Sequence, residues 1–530
     1  MSKILNLSVA LSLSLALLSG CTPDDGKVQM TEIDRDKTAV EAVTSYTDEN
    51  IPDENLYSVK HGKDTDTYTN MVDGYKITVP SGMKPDTSLA HIRFKLSGPN
   101  ESIEIFKERF SSFSECNHYT WYSNIFKEDT VNHNVTMDSE FSLKNNTVRV
   151  LAWDRVSFGP DDRNHYVNID VINNTDVYTI TIKSCNEIDY WYDIAESFVV
   201  TMPTVSAASH PFPSTPNPGK SKETAEFMER IFGEDSGLNW GLYVPSALDA
   251  GMTDYELIED QIGAKLDLFL TYFGVSENYD SNFICTNLNN AWASGKVVEL
   301  TMQTMLDGSA GSVYDILLGK HDDFIDSLIA DIKNFGHPVL MRLFNEMNGD
   351  WCNYSAYHTS RDPDVYIRLY HYIVDKFNAA GVDNVIWIWN PNERSYPNFL
   401  WNCEELYYPG NNYVDVVGLT GYNNGTYYES VGEKWRTFDE IYSAIYPKAL
   451  VLYNKPLMIT EFSCSSIGGD KVVWVRDMFE SLPNYPMIKA AVWWSGCDYD
   501  PENGNISRPY FINETEGVID LFRENLAKNK

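Results

Sequence analysis

Val339-Leu340-Met341-Arg342-Leu343-Phe344 is an apolar run broken by one arginine, and it leads directly into Asn345-Glu346-Met347-Asn348-Gly349-Asp350-Trp351. A short apolar run with a polar end reads as a buried strand. A second stretch has the same form: Pro456-Leu457-Met458-Ile459-Thr460 runs into Glu461-Phe462-Ser463. Around these two, strand-like runs beginning near Leu238, Lys265, Val297, Asn384, Tyr413 and Ile488 alternate with helical patterns. Such alternation argues for βα units around a parallel sheet. Eight units over residues 222–530 predict an α/β fold, a (β/α)8 TIM barrel, in which the two quoted runs are the fourth and seventh strands. Local signals agree. Thr253-Asp254-Tyr255-Glu256 has the form of a capping box, and Gly381 follows a helix that starts near Asp364.

In a barrel of this kind the reacting groups stand where strands end at the C-terminal face. Glu346 and Glu461 both occupy such ends. Cleaving a glycosidic bond passes through an oxocarbenium-like state and needs one carboxyl group to protonate the leaving oxygen and another to attack or to direct water. Glu346 would have to hold its proton near neutrality, which partial desolvation and the charge of Glu461 favour, while Glu461 stays ionised beside Arg342 or the hydroxyl of Tyr422. Two glutamates at strand ends could also be a surface ion pair or a helix cap.

Outward from the barrel, residues 203–221 hold His-Pro-Phe-Pro-Ser-Thr-Pro-Asn-Pro-Gly, which fixes extended backbone and marks a domain boundary. Residues 56–202 carry β-branched and aromatic runs at Val148–Val156, Tyr166–Ile172 and Val177–Ile182, with Asn173-Asn174-Thr175-Asp176 turning the last two. A helix is expected over Ile188–Val199, so this smaller domain is α+β. Its opening Tyr75-Lys76-Ile77-Thr78-Val79-Pro80 and closing helix resemble the PsbP/Mog1-like fold, and an accessory or spacer role is expected of it. Residues 21–55 are polar and acidic and read as a disordered tether. Residues 1–20 read as a secretion signal: Lys3 precedes an apolar stretch, Leu7 to Leu18, too short to span a bilayer. Leu18-Ser19-Gly20-Cys21 resembles the lipobox of bacterial lipoproteins, which implies export, lipid on Cys21 and a membrane anchor.

The 530 residues carry a formal net charge of -35, which disfavours nucleic acid as a partner. Aromatic residues make up 13%, with 33 Tyr and 13 Trp, a composition suited to flat sugar faces as well as to core packing. Seven cysteines follow Cys21, at positions 116, 185, 285, 352, 403, 464 and 497. Cys116 with Cys185 and Cys352 with Cys403 are compatible with disulfides, and reduced thiols are equally compatible. No Cys/His cluster has metal spacing, so no metal is expected. The acidic Asp498-Tyr499-Asp500-Pro501-Glu502-Asn503 lacks the ligand spacing of a calcium loop and reads as solvated. His337, before the fourth strand, is at the wrong end of the barrel for catalysis.

Taken together, Arg342 to Trp351, Trp387-Ile388-Trp389-Asn390-Pro391-Asn392, Val414-Asp415-Val416-Val417-Gly418 with Tyr422, and Trp493-Trp494 resemble glycoside hydrolase family 26. That family lies within the clan of retaining hydrolases whose acid/base follows strand four and whose nucleophile follows strand seven. The resemblance implies Glu346 as acid/base, Glu461 as nucleophile, no cofactor, and a polysaccharide substrate. It makes Arg342, Asn345, Trp351, Trp389, Tyr422 and Trp494 the expected substrate-binding residues; period two sends only one of Trp493 and Trp494 inward. Loop aromatics Tyr354, Trp401, Tyr407, Tyr408, Tyr427, Tyr428 and Trp435 could stack on further sugars, although packing suits each equally well. One departure stands out: the family usually places His before the acid/base, and here Asn345 stands there. β-1,4-mannan is the expected substrate of an endo-acting monomer, with mixed-linkage β-glucan and β-1,3-xylan as alternatives. A non-catalytic glycan-binding lipoprotein, or a chain whose N-terminal domain is the functional part, are the competing readings.

Overall fold

The computed structural model describes residues 55–528 apart from 123–124, 214–218, 246–251, 277–278 and 305–310. The signal segment, Cys21 and the tether up to residue 54 lie outside the described residues.

Eight parallel strands close into a barrel: β1 (Asn239–Tyr243), β2 (Leu268–Gly274), β3 (Val297–Gln303), β4 (Val339–Leu343), β5 (Val385–Trp389), β6 (Val416–Asn423), β7 (Leu457–Cys464) and β8 (Ile488–Trp494). β8 lies beside β1, with Trp240 opposite Ala491 and Leu242 opposite Trp493. Period-two alternation sends Leu268, Leu270, Val297, Leu340, Ile388 and Val492 into the barrel, where they form a dry floor with Phe227 and Ile231 of the helix Lys222–Phe232. The alternate residues face outward against the ring of helices. Gly418 on β6 has a specific reason: a Cβ there would lie 2.4 Å from Thr460 Cγ2 and 2.9 Å from Asn390 Cβ.

Residues 57–200 fold as two antiparallel sheets. One has four strands, Tyr57–His61, Thr65–Asn70, Tyr75–Pro80 and Val199–Val200; the other has seven, with Asn146–Arg155, His165–Asn173, Asp176–Ser184 and Glu101–Arg109 at its centre. Ile103, Ile105, Val150, Ile169 and Ile180 point from the larger sheet into a core shared with Tyr75, Ile77 and Phe198. The opposite face carries Glu104, Arg149, Asp170 and Lys183, all buried. It is buried because it packs against the barrel. Lys183 Nζ donates to Asp362 Oδ1 at 2.6 Å and lies 3.3 Å from both Asp364 and Glu104. Tyr166 Oη donates to Asp362 Oδ2 at 2.7 Å, His133 Nε2 meets Ser360 Oγ at 2.9 Å, and Arg368 pairs with Asp162 at 2.8 Å.

Several expectations need correction. The closing helix of the smaller domain spans only Trp191–Ser197, because Val199–Val200 leave it to pair with Tyr75 and Lys76 as an edge strand. Thr253 is not a cap: Met252 at φ 74 occupies that position and Glu256 N–H donates to its carbonyl, so Thr253 is the first helical residue. A capping box exists instead at Thr437 and Glu440. All seven described cysteines are unpaired thiols, four of them buried. The proline-rich segment is laid on the barrel: Phe212 N–H donates to the Leu452 carbonyl at 2.8 Å and its ring stacks on Tyr453 at 5.5 Å.

Replacing Lys183 by Met would take from Asp362 the cation it meets at 2.6 Å, while Glu104 keeps Arg93 and Lys95 and Asp364 keeps Lys95. Removing one partner of a buried ion pair costs about 3–5 kcal/mol. Thermal melting should show that loss, and limited proteolysis should show earlier cleavage between residues 345 and 362.

Candidate active site

The site is built where β4 and β7 end. After Leu343 the backbone takes two left-handed steps, at Phe344 (φ 50) and Glu346 (φ 56), conformations that cost a bulky L-residue about 1–3 kcal/mol each. Packing over-determines them. Phe344 N–H donates to Met302 O at 2.9 Å, Glu346 N–H to Asn390 O at 2.7 Å, and Gly349 N–H to Glu346 O at 2.9 Å. On β7 the alternation is broken: Leu419 pairs with Ile459 but Thr420 pairs with Glu461. That bulge adds one residue, which re-aims Glu461 toward the barrel axis as well as Thr460.

Three donors converge on Glu461. Arg342 Nη2 donates to Oε2 at 2.7 Å, Tyr272 Oη donates to the same oxygen, and Tyr422 Oη donates to Oε1 at 3.2 Å. A guanidinium and two hydroxyls are a donor set for an anion. Glu346 has a different environment. Its Oε2 accepts one hydrogen bond, from Trp351 Nε1 at 3.2 Å. Burial, followed by the negative charge of Glu461, pushes its carboxyl up to about 8, with the indole N–H and Arg342 pulling weakly the other way. At this end of the barrel the charge of Glu461 is therefore felt by Glu346, one carboxyl held as a proton donor and the other met by three donors.

Of the two adjacent tryptophans, Trp494 is the inward one. It stacks on Tyr243 at 5.1 Å and meets Tyr422 edge-on at 6.4 Å, whereas Trp493 faces outward, fully buried, and donates to the Tyr510 carbonyl. Asn345 is buried; its side-chain oxygen accepts from Gln303 Nε2 at 3.1 Å and its carbonyl from Tyr354 Oη at 2.7 Å. Trp389 is not at the site. With no exposed surface, it packs edge-on against Tyr408 and Tyr453 in the layer between strand and helix, because its register on β5 is an outward one. Tyr354, Trp401, Tyr407 and Tyr408 are likewise buried packing residues. Tyr396, 44% exposed and 5.3 Å from Trp351, is the loop aromatic that borders the site.

Sequence reading missed Tyr272, Tyr243 and Gln303. Their signal was available: each stands at the inward-facing end of β1, β2 or β3. It also missed Asp498, whose carboxyl, raised by burial and held 3.0 Å from Arg508, approaches the pocket from the loop after β8. Asp500 in the same acidic stretch caps its own turn by accepting from Glu502 N–H at 2.9 Å. Among the described residues only Cys403, Glu404 and Glu405 group closely enough to hold a metal ion, and Lys448 already bridges the two carboxylates. His337 pairs with Glu223 and stacks on Trp292, away from the site.

A closed (β/α)8 barrel with paired carboxyl groups at the ends of strands four and seven defines the class. Residues 251–455 match the family model described as Glycosyl hydrolase family 26. The chain is similar to Endoglucanase H of Acetivibrio thermocellus, 31% identical over 296 residues, 55% of this chain and 30% of that protein. It is also similar to the mannan endo-1,4-beta-mannosidase of Bacillus subtilis, 30% identical over 163 residues, 28% of this chain and 38% of that protein. A solved Bacillus subtilis mannanase structure aligns with a TM-score of 0.39 at 19% identity, covering 54% of this chain and 89% of that one. The chain thus spans about a third of the length of the curated relatives it matches.

If Glu461 raises the proton affinity of Glu346, Glu461→Gln should lower the titration midpoint of Glu346, while Trp351→Phe should raise it. Carboxyl-labelled NMR or difference infrared titration would read both shifts.

Proposed function

We propose that this protein is a retaining glycoside hydrolase that cleaves a β-linked polysaccharide, β-1,4-mannan first among them. The reading is carried by Glu461, which takes hydrogen bonds from Arg342, Tyr272 and Tyr422, and by the single-donor Glu346 whose carboxyl the charge of Glu461 helps to raise. Glu346 gives its proton to the glycosidic oxygen as the Glu461 carboxylate bonds to the anomeric carbon and the leaving sugar departs. Glu346, now a carboxylate, then takes a proton from water, whose oxygen attacks the same carbon and frees Glu461. Inversion twice gives net retention. Arg342, Tyr272 and Tyr422 hold the nucleophile, and Trp351 orients the acid. Trp494 on Tyr243 offers a flat apolar wall for a sugar ring, and the amide of Asn345, directly before the acid, is the group assigned to a hydroxyl beside the reacting carbon.

A second substrate reading, β-glucan, is favoured by Asn345 in the place of His and by the longer match to Endoglucanase H than to the mannosidase. The test is a panel of mannan, glucomannan, mixed-linkage glucan and xylans, with product anomers followed by NMR. Glu346→Ala and Glu461→Ala should each lose about 10³-fold or more in kcat; Glu346→Ala should melt like the wild type, whereas Glu461→Ala, which takes from Arg342 its carboxylate, should melt lower. Wild-type rates from either would reject that residue's role. Because the first step needs protonated Glu346, activity is present below its raised value and falls as pH climbs through about 8.

The lipid anchor at Cys21 is supported by Leu18-Ser19-Gly20-Cys21. Labelled fatty acid should enter the full chain expressed in a bacterium and be absent from Cys21→Ala.

A further inference from the structure

Glu299 lies in the middle of β3 with no exposed surface, and neither of its carboxyl oxygens has a hydrogen-bond partner. Nothing in the chemistry above uses it. Its register neighbours are Leu270 on β2 and Leu340 on β4, so an apolar side chain would fill the same space without the cost of burying an unsatisfied carboxyl group. The one charge that meets it closely is Arg342, whose Nε stands 3.3 Å from Oε1.

Arg342 is itself held on every edge. Nε donates to Thr301 Oγ1 at 2.7 Å, Nη1 to Asn390 Oδ1 at 3.1 Å and Nη2 to Glu461 Oε2 at 2.7 Å. The guanidinium is a rigid planar fork, so whatever fixes its Nε edge also aims its Nη2 edge. We propose that Glu299 is a positioning residue for the nucleophile: 3.3 Å from the Nε of Arg342, whose hydrogen goes to Thr301, its oxygen joins Thr301 in fixing that edge and so keeps the fork turned with Nη2 toward Glu461. It acts through Arg342 and never touches the glycan. The inference rests on the proposed role of Glu461.

The protonation state of Glu299 matters to this arrangement. Burial raises its carboxyl, Arg342 opposes, Glu461 adds to the rise, and the balance stands at about 8. The polar groups that face this layer are Tyr272 from β2, Arg342 from β4 and Glu461 from β7. At neutral pH Glu299 is a neutral acid, and the charge of Arg342 is left to Glu461. As pH rises through about 8, Glu299 ionises and the two carboxylates divide one guanidinium.

The experiment uses the full chain, with wild type, Glu299→Gln and Glu299→Met assayed on whichever glycan of the panel the wild type cleaves. Gln keeps the shape of the neutral acid and cannot ionise. It should hold kcat within about threefold of wild type at neutral pH, and its alkaline limb should soften from a slope of about two protons, Glu346 and Glu299, to about one. Met removes the support and should lower kcat about 30-fold with KM within about twofold, when kcat is calculated per folded enzyme as counted by circular dichroism and thermal melting. A Met variant with wild-type kcat, or a Gln variant whose pH profile overlays the wild type, would overturn the proposal. If Met does not fold, the Gln profile decides alone. A wild type inactive on every glycan would reject the hydrolase reading instead.

Discussion

Arg342 places a permanent positive charge inside the barrel, where it has no contact with water. A guanidinium in that position is tolerable only if each edge is met by an acceptor and its charge by a carboxylate. Thr301, Asn390, Glu299 and Glu461 answer from strands three, five, three and seven. The demand of one buried cation thus ties four strands together at the level where the floor of aliphatic side chains ends. Above it the barrel becomes polar, and that transition is what makes a site out of a packed core.

The same charge separates two chemically identical side chains. Glu461 is met by Arg342 and two tyrosine hydroxyls, whereas Glu346 receives a single indole N–H and faces its neighbour's charge. Neither difference lies in the residues themselves. The left-handed backbone at Glu346 and the bulge before Glu461 bring each to its environment, and packing around Phe344, Asn390 and Met302 holds the strain in place. Strain of that kind is stable only inside a frame that cannot relax.

Part of that frame is the N-terminal domain. Its larger sheet keeps its aliphatic face for its own core and turns a face of Glu104, Arg149, Asp170 and Lys183 toward the barrel. Asp362, which this face grips, accepts from Asp364 N–H at the start of the helix that ends the Glu346 loop, and Ser360 and Arg361 beside it are again left-handed. His91 on Glu405 and Tyr119 on Phe399 extend the contact to the loop after β5. The two units share one buried surface.

Much of this was legible in the chain. Hydrophobic runs of strand length placed all eight barrel strands to within a few residues, and the polar residues just past two of them named Glu346 and Glu461, because strand ends are where a barrel exposes side chains. Period two said that one of Trp493 and Trp494 must turn inward but not which, since the phase is set by closure of β8 against β1. Trp389 was misplaced for the same reason: an outward register on β5 sends it to the helices. In the N-terminal sheet, alternation shows which side is polar and not what will cover it. The residues alone determined strands, order and the two acids. Which way each side chain faces, what charge stands beside it, and how the two domains lock were decided only by tertiary structure, because those depend on groups far apart in the chain meeting where water is excluded.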